Sequence, residues 1–141
     1  PEAFNESFKA GEFVYLVAGF VTVCATDPSS VLGMAMHDAA NSATVHNNVQ
    51  VALADGVNVF EIPIYHSGGD ASSVFAVGDI GVKYGLYVAA NIHYCDKSDT
   101  VNKIFQIQDY SRKDAVGDQY GRVYVKVLSD MSSVGPGEKT A

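Results

Sequence analysis

Short segments in which apolar and polar residues alternate recur along the chain, and most of them end near glycine or a polar turn. The clearest is 122–127, where Arg, Tyr and Lys alternate with valines. A period of two is typical of a strand with one buried face. The same reasoning predicts a first hairpin, in which strands at 13–17 and 20–25 are joined by a tight turn at Ala18-Gly19. Further strands are predicted at 31–36, 49–53, 57–65, 86–90, 92–95 and 104–109.

About eight short strands at this spacing predict an all-β fold, a small antiparallel β-barrel or sandwich. Gly33 and Ala35 are expected to let two strands approach closely. Asp55-Gly56 lies between two predicted strands, so we expect it to form the turn of a hairpin. Pro63 has no N–H to donate and is expected at an edge, a bulge or a strand end. The glycine-rich stretch 74–85 is expected to hold no helix beyond a single turn.

The pattern predicts one β-barrel domain at 11–128, with an N-terminal arm at 1–10 and a C-terminal arm at 129–141. A length of 141 residues suits one domain, and a hydrophobic content of 48% is enough for one core. The N-terminal arm carries two isolated aromatic residues, Phe4 and Phe8. These either fold back onto the barrel or anchor to a neighbouring molecule. The C-terminal arm is polar, and we expect its deletion to leave the fold intact.

The charge balance argues against several partners. Nine Lys and Arg against sixteen Asp and Glu give a net charge of −7. A protein that lies on a phosphate backbone needs a basic stripe, and none is present, so we expect no nucleic-acid partner. No apolar run reaches the roughly 18 residues of a membrane helix, so we expect no membrane partner. Pro1 is what trimming of an initiator methionine would leave, and no secretion signal is recognisable. We therefore expect synthesis in the cytoplasm.

No grouping of residues typical of catalysis is evident. His93, Cys95 and Asp96 are close in sequence, and the first two would share one face of a strand. A structural zinc ion needs four ligands, and the other histidines lie in scattered segments, so a packed cysteine and a surface histidine are the better interpretation. Cys24 and Cys95 are expected to be buried thiols, with a late-forming disulfide as the alternative. A nucleophile elbow and a phosphate-binding glycine motif are missing. We expect no enzyme activity, no cofactor and no metal.

Several segments follow one another in an order that is known from one protein family. Gly11-Glu12 precede the first hairpin, and 32–39 reads Leu-Gly-Met-Ala-Met-His-Asp-Ala. Similar segments follow at 49–53, at 60–64, around Tyr84-Gly85-Leu86 and at 123–128. In this order the chain resembles the small capsid cement, or decoration, proteins of tailed bacteriophages. The likeness spans roughly Gly11 to Leu128 and concerns a pattern of strands, not a catalytic signature.

The resemblance implies a structural virion protein without enzymatic activity. Copies would bind the outer capsid surface and stabilise the shell by bridging subunits of the major capsid protein of an HK97-like shell. The resemblance also implies a homo-oligomer, with a trimer favoured over a dimer, and several weak contacts would then sum to tight binding. The loops at 41–48 and 111–119 are expected contact regions. The candidate interface residues are Phe4, Phe8, Asn47, Asn48 and Tyr120.

A second functional class stays open. Eight tyrosines and seven phenylalanines without tryptophan are enough aromatic residues to line a sugar-binding face. The alternative is therefore a carbohydrate- or cell-binding β-domain on the virion surface or the tail. An exposed strip of two or three coplanar aromatic rings beside Asn or Asp would favour this alternative. A flat, mostly apolar base with ordered arms would favour capsid binding.

Overall fold

A computed structural model describes residues 1–133, which form nine strands and two single turns of 3₁₀ helix, Asp70–Ser72 and Val77–Asp79. The strands are β1 Phe13–Val17, β2 Phe20–Val23, β3 Gly33–Ala35, β4 Val51–Leu53, β5 Phe60–Tyr65, β6 Lys83–Ala89, β7 Ile92–Asp96, β8 Phe105–Tyr110 and β9 Arg122–Val127. Within this range, no helix has the length and hydropathy that crossing a membrane requires.

The strands form two sheets, and the predicted all-β fold is confirmed. Strands β1 to β4 make a four-stranded antiparallel sheet in the order β2-β1-β3-β4, and β5 to β9 close into a barrel in the order β5-β7-β6-β8-β9. One pair departs from the expected antiparallel arrangement, because β5 and β7 run parallel with Ile64 opposite Cys95. Parallel neighbours need a long connection between them. Here that connection includes both 3₁₀ turns and β6.

The first hairpin has the turn that its sequence predicts. Ala18 and Gly19 both have positive φ angles, +49° and +86°, which is the conformation of a type I′ turn. The turn sets the register, in which Val17 lies opposite Phe20. The hairpin is therefore specified locally, by two residues that connect two apolar segments.

The hairpin predicted at Asp55-Gly56 does not form, so that prediction is wrong. Strand β4 pairs with β3 in the sheet, and β5 pairs with β9 and β7 in the barrel. The Asp55 carboxylate accepts the N–H groups of Val57 and Asn58, both at 2.9 Å. This Asx turn leads the chain from the sheet into the barrel instead of reversing it.

Pro63 marks the point at which β5 changes partner. The ladder between β5 and β9 ends with Pro63 opposite Arg122, and the next residue, Ile64, lies opposite Cys95 of β7. Proline cannot donate to a ladder, so it suits this position. Pro63 was expected at an edge, a bulge or a strand end; it is instead the fourth of the six residues of β5, where the segment paired with β9 ends.

The main core lies inside the barrel; Phe13 of the sheet is buried in it, and Tyr15, Met34 and Ala52 of the sheet pack against it. Phe13 of β1 is fully buried among barrel residues, with ring centroids 5.3 Å from Phe60 and 5.0 Å from Phe105. A smaller core lies on the other face of the sheet and consists of Phe8, Val14, Val21 and Ala35. The sheet is thus covered on both faces.

Residues 1–8 fold back onto the sheet. The Val21 N–H donates to the Pro1 carbonyl at 2.8 Å, and the Ala3 N–H donates to the Val21 carbonyl at 3.0 Å. These bonds extend the sheet beyond β2 by a short parallel bridge. Phe8 is only 1% exposed and belongs to the smaller core. Of the two alternatives for this arm, the structure has the one that folds back.

Residues 129–133 also pack against the folded body. The Val31 N–H donates to the Met131 carbonyl at 2.7 Å, and the Ser133 N–H donates to the Val31 carbonyl at 2.9 Å. The Met131 side chain packs against the barrel core. The rest of the predicted C-terminal arm, 134–141, lies outside the described residues.

Deleting residues 129–141 is expected to lower the Tm of the isolated protein, contrary to the expectation from sequence. The deletion removes the pairing with Val31 and the packing of Met131, which together contribute about 1–2 kcal/mol. Deleting 134–141 alone is the matched control, since it keeps residues 129–133, and it should melt at a higher temperature than the longer deletion. Scanning calorimetry measures both variants, and equal melting of the two deletions would contradict this role of Met131.

Gly33→Ala is expected to destabilise the protein by about 1–3 kcal/mol, because a Cβ at this position would lie 2.0 Å from the Ala52 carbonyl oxygen. Strands β3 and β4 would have to separate to admit it. Gly78→Ala is the matched control, since nothing lies within 4 Å of its Cβ position. Urea unfolding compares the two variants. If both unfold at the same urea concentration, the close approach of β3 and β4 is contradicted.

Candidate interaction surfaces

The candidate interface residues fall in three environments. Phe4 is 46% exposed and lies beside the loop that carries Asn47 and Asn48. Tyr120 lies on the barrel, in a cluster of tyrosines. Phe8 has to be corrected to a core residue, because its ring fills the space between the N-terminal segment and the sheet and is not accessible to a neighbour.

Phe4 belongs to a stack of three rings at the surface. The His46 ring lies between Phe4 and Phe20, with centroid distances of 3.8 Å and 4.0 Å and interplanar angles of 16° and 20°. Val17, which pairs with Phe20, and Val45, which precedes His46, are both exposed. We call this surface the N-terminal patch; it consists of Phe4, Val17, Phe20, Val45 and His46.

The loop of the N-terminal patch is tied to the N-terminal segment through Glu2. His46 Nδ1 donates to the Glu2 carbonyl at 2.8 Å, and the Glu2 N–H donates to the Asn47 carbonyl at 2.8 Å. The buried Glu2 carboxylate accepts the Ala40 N–H at 3.1 Å and the Asn47 side-chain amide at 3.5 Å. Asn47 was selected from sequence as a candidate interface residue, whereas His46 was not. Its position next to Asn47 is the sequence signal that could have identified it.

Four tyrosines lie together on the outside of the barrel. Tyr65 and Tyr87 stack with centroids 4.1 Å apart and planes within 8°. Tyr94 lies 5.6 Å from Tyr65 and 6.1 Å from Tyr87, and Tyr120 lies 5.9 Å from Tyr94. All four are half-buried. We call this surface the tyrosine face; it consists of Tyr65, Tyr87, Tyr94 and Tyr120.

Strand register assembles the tyrosine face. Tyr87 of β6 lies directly opposite Tyr94 of β7, and Tyr65 of β5 lies opposite Asp96 of β7. Residues two apart on a strand share a face, so Tyr94 and Asp96 lie on the same face of β7, where Tyr94 is half-buried and Asp96 is buried. Sequence reasoning missed three of these tyrosines, since they sit on different strands and one of the pairings is parallel.

Tyr120 is held by its backbone and by its hydroxyl. Its φ of +53° is uncommon for an aromatic residue. The Tyr120 N–H donates to the Ser73 carbonyl at 2.7 Å, and the hydroxyl donates to the Asp70 carboxylate. The hydrogen bond to Asp70 raises the pKa of Tyr120, so the hydroxyl stays protonated. The position of Tyr120 is therefore fixed at its backbone by Ser73 and at its hydroxyl by Asp70.

His93, Cys95 and Asp96 do not form a common site. His93 and Cys95 share one face of β7, as predicted, and both are buried, whereas Asp96 lies on the opposite face of the strand. The expectation of a surface histidine is wrong, because His93 is only 3% exposed. Its Nδ1 accepts the Phe13 N–H at 3.1 Å, and its Nε2 lies 3.2 Å from Glu12 Oε1. Burial lowers the pKa of His93 to about 4, so the ring is neutral at pH 7.

Both cysteines are buried free thiols in the barrel core, as predicted. Burial raises the pKa of Cys24 to about 12 and also raises the pKa of Cys95, so neither is a reactive thiolate. In the part of the chain that the structure describes, no group of three or more His, Cys, Asp and Glu residues is arranged to hold a metal ion.

Comparisons with known proteins add no relative. The chain matches no family model, and no curated protein or solved structure matches it. Any inference about function therefore starts from the residues of the chain itself.

Stability is expected to fall as the pH drops from about 6.5 to about 4, because folding lowers the pKa of His93 across this window. The unfolded chain binds a proton there that the folded chain does not, so lowering the pH favours unfolding, by up to about 3 kcal/mol. The raised pKa of the buried Glu12 carboxyl acts in the opposite direction. Urea unfolding at several pH values measures the slope.

His93→Gln keeps an acceptor for the Phe13 N–H and removes the titrating ring, so it should flatten this slope. His66→Gln, which alters a half-buried histidine next to β5, is the matched control and should keep it. A His93→Gln protein with the slope of the unmodified chain would contradict the assignment.

Proposed function

We propose that the chain is a structural virion protein that binds the outer surface of a tailed-bacteriophage capsid and stabilises the shell by bridging subunits of the major capsid protein. One observation carries the proposal: the segments whose order resembles decoration proteins coincide with strands of one folded body. Segment 32–39 contains β3, 60–64 lies within β5, 84–86 lies within β6, and 123–128 covers β9 except for its first residue, Arg122.

The shape of the core supports a mechanical role. The sheet and the barrel share Phe13, and both described chain ends return to the body through backbone hydrogen bonds. Close-packed interiors have low compressibility and transmit strain. Force applied at one surface of such a body is passed on to another, as a bridge between capsid subunits requires.

The N-terminal patch is the proposed capsid contact. Phe4, Val17 and Val45 are exposed apolar side chains around one ring stack, and clusters of this kind are typical of protein interfaces. The exposed Asn48 supplies a polar border. We further propose a homo-oligomer, a trimer in preference to a dimer, whose several copies of the patch bind with avidity. The net charge of −7 suits an outer position, since a surface that faces packaged DNA would favour Lys and Arg.

Replacing two exposed residues of the N-terminal patch, in the variant Phe4→Ser with Val45→Ser, is expected to weaken attachment to shells about tenfold or more. The Tm should change little, since both side chains are exposed. Co-sedimentation with empty shells of the phage that encodes the chain measures attachment. Val101→Ser, at an exposed valine far from the patch in sequence, is the matched control.

Co-sedimentation of the unmodified chain tests the capsid proposal separately from the proposed contact surface. If it fails to co-sediment with the shells, the capsid proposal is overturned. If it co-sediments and the double variant does so equally well, the capsid proposal stands and the N-terminal patch is not its contact.

A carbohydrate- or cell-binding domain is the second candidate, and the tyrosine face favours it. Asp70 lies beside the rings, as a side chain of a sugar site would. However, Tyr65 and Tyr87 face each other at 4.1 Å, so each ring covers the other and they do not lie side by side as a platform. Titration with neutral oligosaccharides distinguishes this candidate from the first.

A further inference from the structure

Arg112 shows how a guanidinium group binds on the surface of this protein. Its Cζ lies 3.8 Å from the centroid of the Tyr110 ring. Its terminal nitrogens donate to the Asp109 carboxylate at 3.3 Å and 3.2 Å. A cation over a tyrosine ring, with a carboxylate beside it, combines a cation–π contact with charge-assisted hydrogen bonds. A tyrosine ring and an aspartate are the two side chains of this site, and the Tyr110 carbonyl also accepts from Arg112 at 3.1 Å.

The tyrosine face contains the same two parts without a cation. Asp70 accepts the Tyr120 hydroxyl, whereas Asp96, the cross-strand neighbour of Tyr65, is buried and its carboxylate accepts the Ser98 N–H and hydroxyl. Among residues 1–133, Arg112 is the one Lys or Arg that lies over an aromatic ring. The aromatic and acidic groups of the tyrosine face are therefore not neutralised by the chain itself.

The lysine next to this surface in sequence is used elsewhere. Lys97 Nζ lies 2.8 Å from Asp79 Oδ2 and donates to the Val74 carbonyl at 3.0 Å. Its side chain is largely buried there. Because Lys97 pairs with Asp79, its charge does not compensate the carboxylates that border the tyrosine face.

Further carboxylates extend the acidic border. Asp96 lies opposite Gly85 of β6, and a Cβ at Gly85 would be 2.6 Å from Asp99 Oδ2. Asp27 is hydrogen-bonded to Asp99, and this bond raises the pKa of Asp27. The border therefore continues from Asp96 to two more acids, next to the strand that carries Tyr87.

The rings are placed before a partner arrives. Tyr65 and Tyr87 are stacked on each other, and Tyr120 is fixed by Ser73 and Asp70. Tyrosine has few rotatable bonds, so it supplies a large contact area at a low entropic cost, as in antibody binding sites. Rings that are already held in place on the surface are well suited to binding a group of a partner.

We propose that the tyrosine face binds a protein segment that presents arginine side chains, with a guanidinium group over the ring of Tyr94 or Tyr120 and hydrogen-bonded to Asp70. Charge complementarity favours this occupant, because the face has an acidic border and the whole chain carries −7. Arginine suits it better than lysine, since a planar guanidinium both stacks on a ring and donates in parallel to a carboxylate. The inference goes beyond capsid attachment, since it concerns a different surface and needs no shell.

Titration of the full-length protein with a short peptide of Gly-Arg repeats tests the inference by calorimetry and by the amide NMR signals of β5, β6 and β7. The Arg peptide is expected to bind and to shift those signals. A Gly-Lys peptide should bind more weakly, and a peptide with citrulline in place of arginine, which has nearly the same shape without the charge, should not bind. Added salt should weaken the binding.

Two variants locate the site. Asp70→Asn removes the charge but keeps an acceptor for the Tyr120 hydroxyl, and Tyr94→Leu removes one ring. Each is expected to weaken binding of the Arg peptide about threefold to tenfold. Tyr124→Leu, at a half-buried tyrosine of β9 outside the tyrosine face, is the matched control and should bind like the unmodified chain. Melting curves verify that all three variants are folded.

Several results would overturn the inference. Equal binding of the arginine and citrulline peptides would exclude guanidinium recognition. Unchanged affinity in folded Asp70→Asn and Tyr94→Leu would place the peptide elsewhere. Shifts of the same NMR signals by a neutral oligosaccharide, without binding of the Arg peptide, would replace the arginine-bearing partner with a sugar. None of these results depends on whether the chain binds a capsid.

Discussion

Phe13 joins the two halves of the molecule. It is the first residue of β1 in the four-stranded sheet, yet its ring lies inside the barrel core against Phe60 and Phe105. Its N–H donates to Nδ1 of His93, a buried residue of β7. An aromatic ring of this size contributes on the order of 2–3 kcal/mol when it is buried, and a buried N–H without an acceptor would cost a comparable amount. This contact places the sheet against the barrel, together with the packing of Tyr15, Met34 and Ala52 on the barrel core.

The same contact connects the two surfaces that carry the functional proposals. Strand β1 continues from Phe13 to Val17 in the N-terminal patch, and β7 continues from His93 to Tyr94 in the tyrosine face. A single buried hydrogen bond thus links the two strands that lead to these surfaces. The surfaces differ in chemistry, since one is apolar around a ring stack and the other is aromatic with an acidic border. A body that holds two unlike surfaces in a constant arrangement suits a protein that bridges different partners.

The candidate site was predictable only in part. Phe4 and Phe8 are the same residue type in the same short segment, and they differ because Phe8 meets the apolar face of the sheet whereas Phe4 reaches its rim. Tyr120 was selected from sequence, but Tyr65 and Tyr94 were not. These tyrosines come together through the parallel pairing of β5 with β7, which no local pattern encodes. His46 was not predicted, because its stacking between Phe4 and Phe20 depends on how its loop packs against the sheet.

The sequence by itself determined the structural features that depend only on residues close to one another along the chain. Side-chain alternation places β9 at 122–127, and positive φ angles at Ala18-Gly19 close the first hairpin, because strand period and turn type are local properties. Only the tertiary structure decided which strands pair and which residues they bury. Asp55-Gly56 connects the sheet to the barrel and is not a hairpin turn, since β4 pairs with β3 and β5 pairs with β9 and β7. His93 became an interior residue, since the Phe13 N–H that it accepts belongs to a strand eighty positions away in the chain.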